Sequence, residues 1–176
     1  NNWTISFMGN FVGSLTMVCW MYKTHQFDFF HQMVGAKALL IANTKVTLTF
    51  KTALARGVLC NAMVCLAVWL CFSGRTAADK ILSIVFPIGG FVASGFEHCV
   101  ANMYFIPMGI LLRKNPEVVA AAKKMAGKAL DFSQLTWRGF FINNLFPVTL
   151  GNIVGGVILV GIMFWFVYLR PHISFS

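Results

Sequence analysis

The sequence predicts an all-α membrane protein, a single transmembrane domain over residues 1–176 with one of its helices broken. Three observations carry this. The chain is 58% hydrophobic and only 11% charged, whereas a soluble domain carries about 25% charged residues. Its apolar residues gather into four runs, at about 3–22, 52–72, 81–112 and 147–169, and about 20 residues of helix cross a bilayer. One run, 81–112, holds prolines, glycines and an ionisable pair in its interior.

The 14 Lys and Arg against 5 Asp and Glu give a formal net charge of +9. These basic residues fall between the apolar runs, as membrane flanks or as a basic vestibule that gathers anions. They form no stripe on a polar surface, and no nucleic-acid partner is expected. Cys19, Cys60, Cys65, Cys71 and Cys99 all lie in apolar runs without a CxxC pair. They read as small buried hydrophobes, so no disulfide, metal site or cofactor is expected.

The first span, Trp3 to Tyr22, contains no charge, and Trp3, Trp20 and Tyr22 suit the aromatic belts at the two interfaces. Gly9 and Gly13 form a GxxxG pair that lets another helix approach closely. In the connection that follows, Phe27, Phe29 and Phe30 suggest an interfacial segment and Met33–Asn43 a short amphipathic helix. Lys45 comes next, and on spacing alone a lysine there snorkels to water. The second span, Thr52 to Phe72, begins beside Arg56 and encloses Asn61, a polar residue suited to hydrogen-bonding between helices. Ser73 to Lys80 reads as a tight loop.

The third span is the unusual one. Pro87, Gly89, Gly90 and Gly95 precede Glu97-His98, and Pro107 and Gly109 follow. Proline removes a backbone donor and glycine loosens a helix, and irregular backbone at membrane depth survives only inside protein or along a watery cavity. A broken segment is therefore expected, with Phe91 on its irregular part and His98 opening the second half. An ionisable residue near the midplane costs roughly 2.5–3.5 kcal/mol on insertion scales and marks a functional site by default. Glu97 reads as a structural group satisfied by a Lys or an amide, and His98 as the functional one.

Arg113 to Arg138 is a polar connection in which Glu117–Leu130 forms an Ala- and Lys-rich surface helix. Gly139 to Leu169 is 31 residues without a formal charge, longer than a straight span. Asn143 and Asn144 belong to a lead-in segment, and the membrane helix starts near Pro147 with Asn152 about one turn in. Trp165, Tyr168 and Arg170 anchor the far end.

Two segments match each other, Gly9-Asn10-Phe11-Val12-Gly13-Ser14 and Gly151-Asn152-Ile153-Val154-Gly155-Gly156. Each lies in a span that would close a three-helix unit, the pattern of an internally repeated transporter. The unit ending at Tyr22 then needs two more helices upstream. The chain also begins without Met at the edge of a span, so an N-terminally incomplete chain is expected.

Gly95-Phe96-Glu97-His98-Cys99-Val100-Ala101-Asn102-Met103 followed by Ile106-Pro107-Met108-Gly109 resembles the signature of the formate/nitrite transporter family. Asn144-Leu145-Phe146-Pro147-Val148-Thr149-Leu150-Gly151-Asn152-Ile153-Val154-Gly155-Gly156 resembles a second family signature. Gly57-Val58-Leu59-Cys60-Asn61 with Val64-Cys65-Leu66-Ala67-Val68-Trp69 resembles a third. The resemblance implies an aquaporin-like inverted-repeat helical bundle of six transmembrane segments, of which this chain covers the last four. It further implies a homopentamer with one pore per subunit, in the inner (cytoplasmic) membrane of a bacterium. On the same ground Lys45 faces the pore, Val64 lines a constriction, and Asn61 is tied to Glu97, with Asn102 in the same structural polar network. Family substrates include formate, nitrite and hydrosulfide, and the Ile106-Pro107-Met108-Gly109 continuation is most like the formate channels. A threonine on an earlier broken helix of family members contacts the histidine, and that loop is not in this chain.

Orientation sets two rules against each other. Segments 23–56 and 113–138 hold eleven Lys or Arg, while loop 73–80 and the tail hold three. The positive-inside rule puts the first group in the cytoplasm, whereas the family topology puts the C-terminus there and leaves the basic segments outside as an anion funnel. The family topology is preferred here.

The chemistry expected is transport without catalysis. A formate-sized anion cannot cross hydrocarbon, but its protonated form can. His98, with an unperturbed pKa near 6.5, would hydrogen-bond the anion or pass it a proton between apolar gates at Phe91 and Val64. Lys45 would draw the anion in, and Asn152 and Asn10 would supply donors. A b-type haem subunit needs paired histidines at depth, yet only His98 is mid-span, with His25 and His31 in a connection and His172 in the tail. A hydrolase lacks a partner serine or aspartate for His98. A neutral-solute, aquaporin-like channel is the serious rival, and it would need neither Lys45 nor His98.

Overall fold

The computed structural model describes residues 2–169. Among them every regular element is helical, as the composition requires. The helices are α1 (Asn2–Lys23), α2 (Met33–Val46), α3 (Phe50–Ser73), α4 (Ala77–Ala93), α5 (Cys99–Leu112), α6 (Pro116–Ala126) and α7 (Gly139–Leu169). Of these, α1, α3 and α7 are each long and apolar enough to cross a membrane. Arg170 and His172 lie outside the described residues.

The chain divides into two compact units, one of residues 1–53 and 99–147, the other of 54–98 and 148–176. In the first, α2 packs on α5 and α6, and α1 on α5. Ala36, Leu39, Ala42 and Val46 recur at helical spacing along α2 and are fully buried, as are Met103, Ile106 and Leu112 of α5 and Val118 and Ala122 of α6. A Cβ on Gly109 would run into the Cβ of Ala42, so the two helices meet at a glycine. Helix α6 is well terminated. Asn115 accepts from the Glu117 and Val118 N–H groups at 3.0 and 3.3 Å, Pro116 opens the first turn, and Gly127 closes the helix at φ 63°. It therefore stops at Ala126, short of the Leu130 expected from composition, because Gly127 takes the left-handed conformation that ends helices. Phe27 is buried against Tyr22 at 5.0 Å between ring centroids, while Phe29 and Phe30 are exposed.

In the second unit α3 and α7 approach backbone to backbone. A Cβ on Gly151 would strike the Leu54 carbonyl, one on Gly155 the Val58 carbonyl, and one on Gly57 would lie 2.8 Å from the Val148 carbonyl. Trp69 closes the far end of this contact against Phe164 at 4.0 Å and Tyr168 at 5.5 Å between ring centroids.

Helix α7 differs from expectation. Residues 143 and 144 are not a separate lead-in, since winding starts at Gly139, and the first turns are π-helical over Gly139–Leu145. Pro147 explains the wider turn. Its ring crowds the carbonyl four residues back and it offers no N–H, and opening the preceding turn to an i→i+5 pattern relieves both. A second π segment spans Val154–Ile162.

Candidate functional site at the helix break

The break between α4 and α5 is built by a specific cap. Helix α4 starts from a capping box, in which the Asp79 N–H donates to Thr76 Oγ1 at 3.2 Å and the Thr76 N–H to Asp79 Oδ2 at 2.9 Å. Hydrogen bonds from Thr76, chiefly its N–H, and from the Arg75 N–H hold the exposed Asp79 carboxyl below its ordinary range. At the other end Gly95 takes φ 66°, its N–H donates to the Val92 carbonyl at 3.1 Å, and the Phe96 N–H reaches back to the Phe91 carbonyl at 3.1 Å. This pair of bonds is a Schellman motif, which demands a left-handed residue at its centre. An L-residue there costs about 1–2 kcal/mol, which accounts for glycine at 95. The chain then runs irregularly through residues 96–98 and α5 begins at Cys99.

His98 therefore stands on the irregular segment, one residue before α5. Phe91, expected on that segment, instead belongs to the last turn of α4. Helical hydrogen bonding continues through Pro87, Gly89 and Gly90 and ends only where Gly95 caps it. Even so, Phe91 and His98 come together, with ring centroids 6.1 Å apart and planes inclined by 30°. The cap turns the chain back so that His98, three residues beyond Gly95, lies beside the last helical turn.

The break is clamped from both neighbouring helices of its unit. Asn152, on α7 and buried, donates its side-chain amide to the Gly57 carbonyl of α3 at 2.9 Å and to the Glu97 carbonyl at 3.0 Å. Asn61 of α3 donates to the Asn152 carbonyl at 2.6 Å. The Glu97 N–H lies 3.4 Å from the Arg56 carbonyl, and Arg56 Nη1 lies 3.5 Å from the Gly95 carbonyl. Asparagine 152, expected to offer donors to an anion, thus has both amide hydrogens on backbone carbonyls. Glu97 is buried, and Val64 is half-buried on α3 in the same unit.

The remaining candidates lie in the other unit. Lys45, expected beyond a helix ending at Asn43, is in the last turn of α2, and its ammonium sits 5.7 Å from the centre of the Phe105 ring. Asn102 is fully buried and donates to Asn144 Oδ1 at 2.7 Å, and Asn144 Nδ2 donates in turn to the Lys45 carbonyl at 2.9 Å. Sequence reasoning assigned no role to Asn144 or Phe105. The available signal was Asn144 itself, an uncharged polar residue in a 31-residue apolar run, which must bond within protein if buried.

A family model described as formate/nitrite transporter matches residues 1–166. The chain belongs to the formate/nitrite transporter family. The formate channel FocA of Escherichia coli K12 is 44% identical over 173 residues, covering 97% of this chain and 60% of FocA. A solved pentameric formate channel with formate bound is 42% identical, superimposes with a TM-score of 0.84, and is matched over 96% of this chain and 66% of its own length. A solved FNT family ion channel is 27% identical with a TM-score of 0.69, over 93% of this chain and 57% of its own. The chain thus spans about 60% of the length of the curated channel it matches. These formate/nitrite transporter relatives are named as channels, and the all-helical fold expected from the sequence is theirs.

Proposed function

We propose that the chain forms part of a channel for small monovalent anions of weak acids, formate first, whose passage is linked to a proton through His98. It acts by transport and not as an enzyme, as a homopentamer in the inner membrane of a bacterium, with its C-terminus in the cytoplasm. The observation that carries this reading is an imidazole set on a clamped helix break beside an aromatic ring, with His98 6.1 Å from Phe91 between ring centroids. The names of its relatives support formate as the substrate.

The chemistry follows from the groups present. Lys45 gathers the anion, since two unit charges at ~4 Å interact by about 4 kcal/mol at an effective dielectric near 20. Phe91 and Val64 are apolar gates that exclude water and free ions. Imidazole titrates near neutral pH and keeps one N–H donor when neutral, so His98 hydrogen-bonds the anion or gives it a proton, and the neutral acid passes the apolar stretch. Asn152, Asn61 and Glu97 serve by holding the break on which His98 stands.

The test is flux in proteoliposomes of the full-length protein, on jumps of formate, nitrite, hydrosulfide and glycerol across pH 5–8. Formate flux whose pH dependence changes in His98→Ala is expected. Glycerol flux without anion flux, indifferent to that substitution, overturns the reading in favour of an aquaporin-like channel. Nitrite or hydrosulfide flux exceeding that of formate keeps the mechanism and replaces the substrate.

A further inference from the structure

A helix leaves its last carbonyls without intrahelical donors. On α2 these lie in the turn that carries Lys45, and two successive asparagines of α7 serve them. Asn144 Nδ2 donates to the Lys45 carbonyl at 2.9 Å, and Asn143 Nδ2 lies 3.4 Å from the Val46 carbonyl. The Asn144 amide is itself oriented, because its Oδ1 accepts from Asn102 Nδ2 at 2.7 Å. That bond turns the amide nitrogen of Asn144 toward the Lys45 carbonyl. Both asparagines, 102 and 144, are fully buried, where a misdirected amide would lose its partners at a cost of about 1–3 kcal/mol. Asn102 and Phe105 are three residues apart on α5 and so neighbours on its surface. One acts through Asn144 on the main chain of Lys45, and the other lies 5.7 Å from its ammonium, within cation–π range.

We propose that Asn144 is a positioning residue for Lys45: with Asn102 it fixes the last turn of α2, so that the lysine ammonium stays over Phe105, poised to meet an incoming anion. The anion-gathering role of Lys45 rests on the channel reading above, whereas its placement by Asn144 does not. Lysine has a long flexible stem, and an ammonium that wanders over many rotamers binds an anion less well than one held in place, because the ordering must be supplied on binding. A displaced lysine should therefore raise the half-saturating formate concentration more than it lowers maximal flux.

The experiment has two readouts on Asn144→Leu, which removes both hydrogen bonds while keeping the branched outline of the side chain, and on the smaller Asn144→Ser should the bulkier leucine keep the first variant from reaching the liposome. One is the NMR shift of isotopically methylated Lys45 in the purified full-length protein, assigned by its loss in Lys45→Gln. The Phe105 ring current displaces it, Phe105→Leu abolishes the displacement, and Asn144→Leu is expected to abolish it too. The other is formate flux. Asn144→Leu is expected to raise half-saturation by roughly three- to tenfold, the scale of one lost hydrogen bond, and to add nothing in a Lys45→Gln background. An unchanged NMR shift, or effects of the two substitutions that multiply, overturns the positioning role. A lost shift in a protein that carries no formate keeps it and removes the channel reading instead.

Discussion

Helices α1 and α7 carry the same five-residue pattern and use it differently. In α7, Gly151 and Gly155 press against the backbone of α3, so that a Cβ at either would collide with a carbonyl, and Asn152 donates across to Gly57 and Glu97. In α1, a Cβ on Gly9 or Gly13 meets no described atom within 4 Å, and Asn10 donates to the Ser6 carbonyl of its own helix at 2.9 Å. Trp3, Ile5, Met8 and Val12 around it are exposed. Small residues permit close approach but do not cause it. A Gly-Asn-x-Val-Gly segment is a socket, and only a helix seated in it turns asparagine into a clamp.

The largest effect should come from filling the occupied socket. Gly151→Ala and Gly155→Ala each force a methyl group against backbone that cannot rotate away, at about 1–3 kcal/mol apiece, while Gly9→Ala and Gly13→Ala should be neutral or slightly stabilising in this chain through helix propensity. Thermal unfolding in detergent ranks the four. Equal losses in both helices would mean that a partner does sit on α1 in solution and that the two glycine pairs do the same job.

Next in size is the asparagine. Asn152→Leu strips donors from the buried Gly57 and Glu97 carbonyls, and an unsatisfied buried group costs about 1–3 kcal/mol. Asn10→Leu should stay within about 0.5 kcal/mol, as exposed substitutions do. Hydrogen exchange sharpens the point, since protection around residues 95–99 should fall in Asn152→Leu alone. Unchanged protection there would remove the clamp.

The smallest effect concerns the far end of α4. The Asp79 carboxyl is held below its ordinary range by the Thr76 and Arg75 backbone donors. A depressed folded value means that its stabilisation is present above the unfolded pKa of about 3.9 and lost as pH falls through the lower folded value. The first turn of α4 should therefore loosen at acid pH in the wild type, whereas Asp79→Asn should show a weaker cap at neutral pH and little further change on acidification. Protease nicking near Arg75 across pH 2–6 reads this out, and identical pH profiles would contradict it.

Much of this was legible in the sequence. The apolar runs indicate the long helices, and Gly95 marks the break, since it takes the left-handed conformation there. Proline and glycine loosen a helix without ending it, so α4 runs on through Pro87, Gly89, Gly90 and Phe91 and stops only where Gly95 takes the left-handed conformation. Polarity suggests a helix end before Lys45, but α2 runs on to Val46, where Asn144 and Asn143 donate to the Lys45 and Val46 carbonyls.

What the sequence alone determined is what depends on local chemistry and solvent preference: an all-helical membrane chain, its break, and the family to which its motifs belong. Which asparagine clamps and which is idle, how an amide on α7 orders a lysine on α2, and which glycine bears a contact were decided by the tertiary structure. A hydrogen bond or a close approach needs two partners distant in sequence, and no local pattern specifies the second.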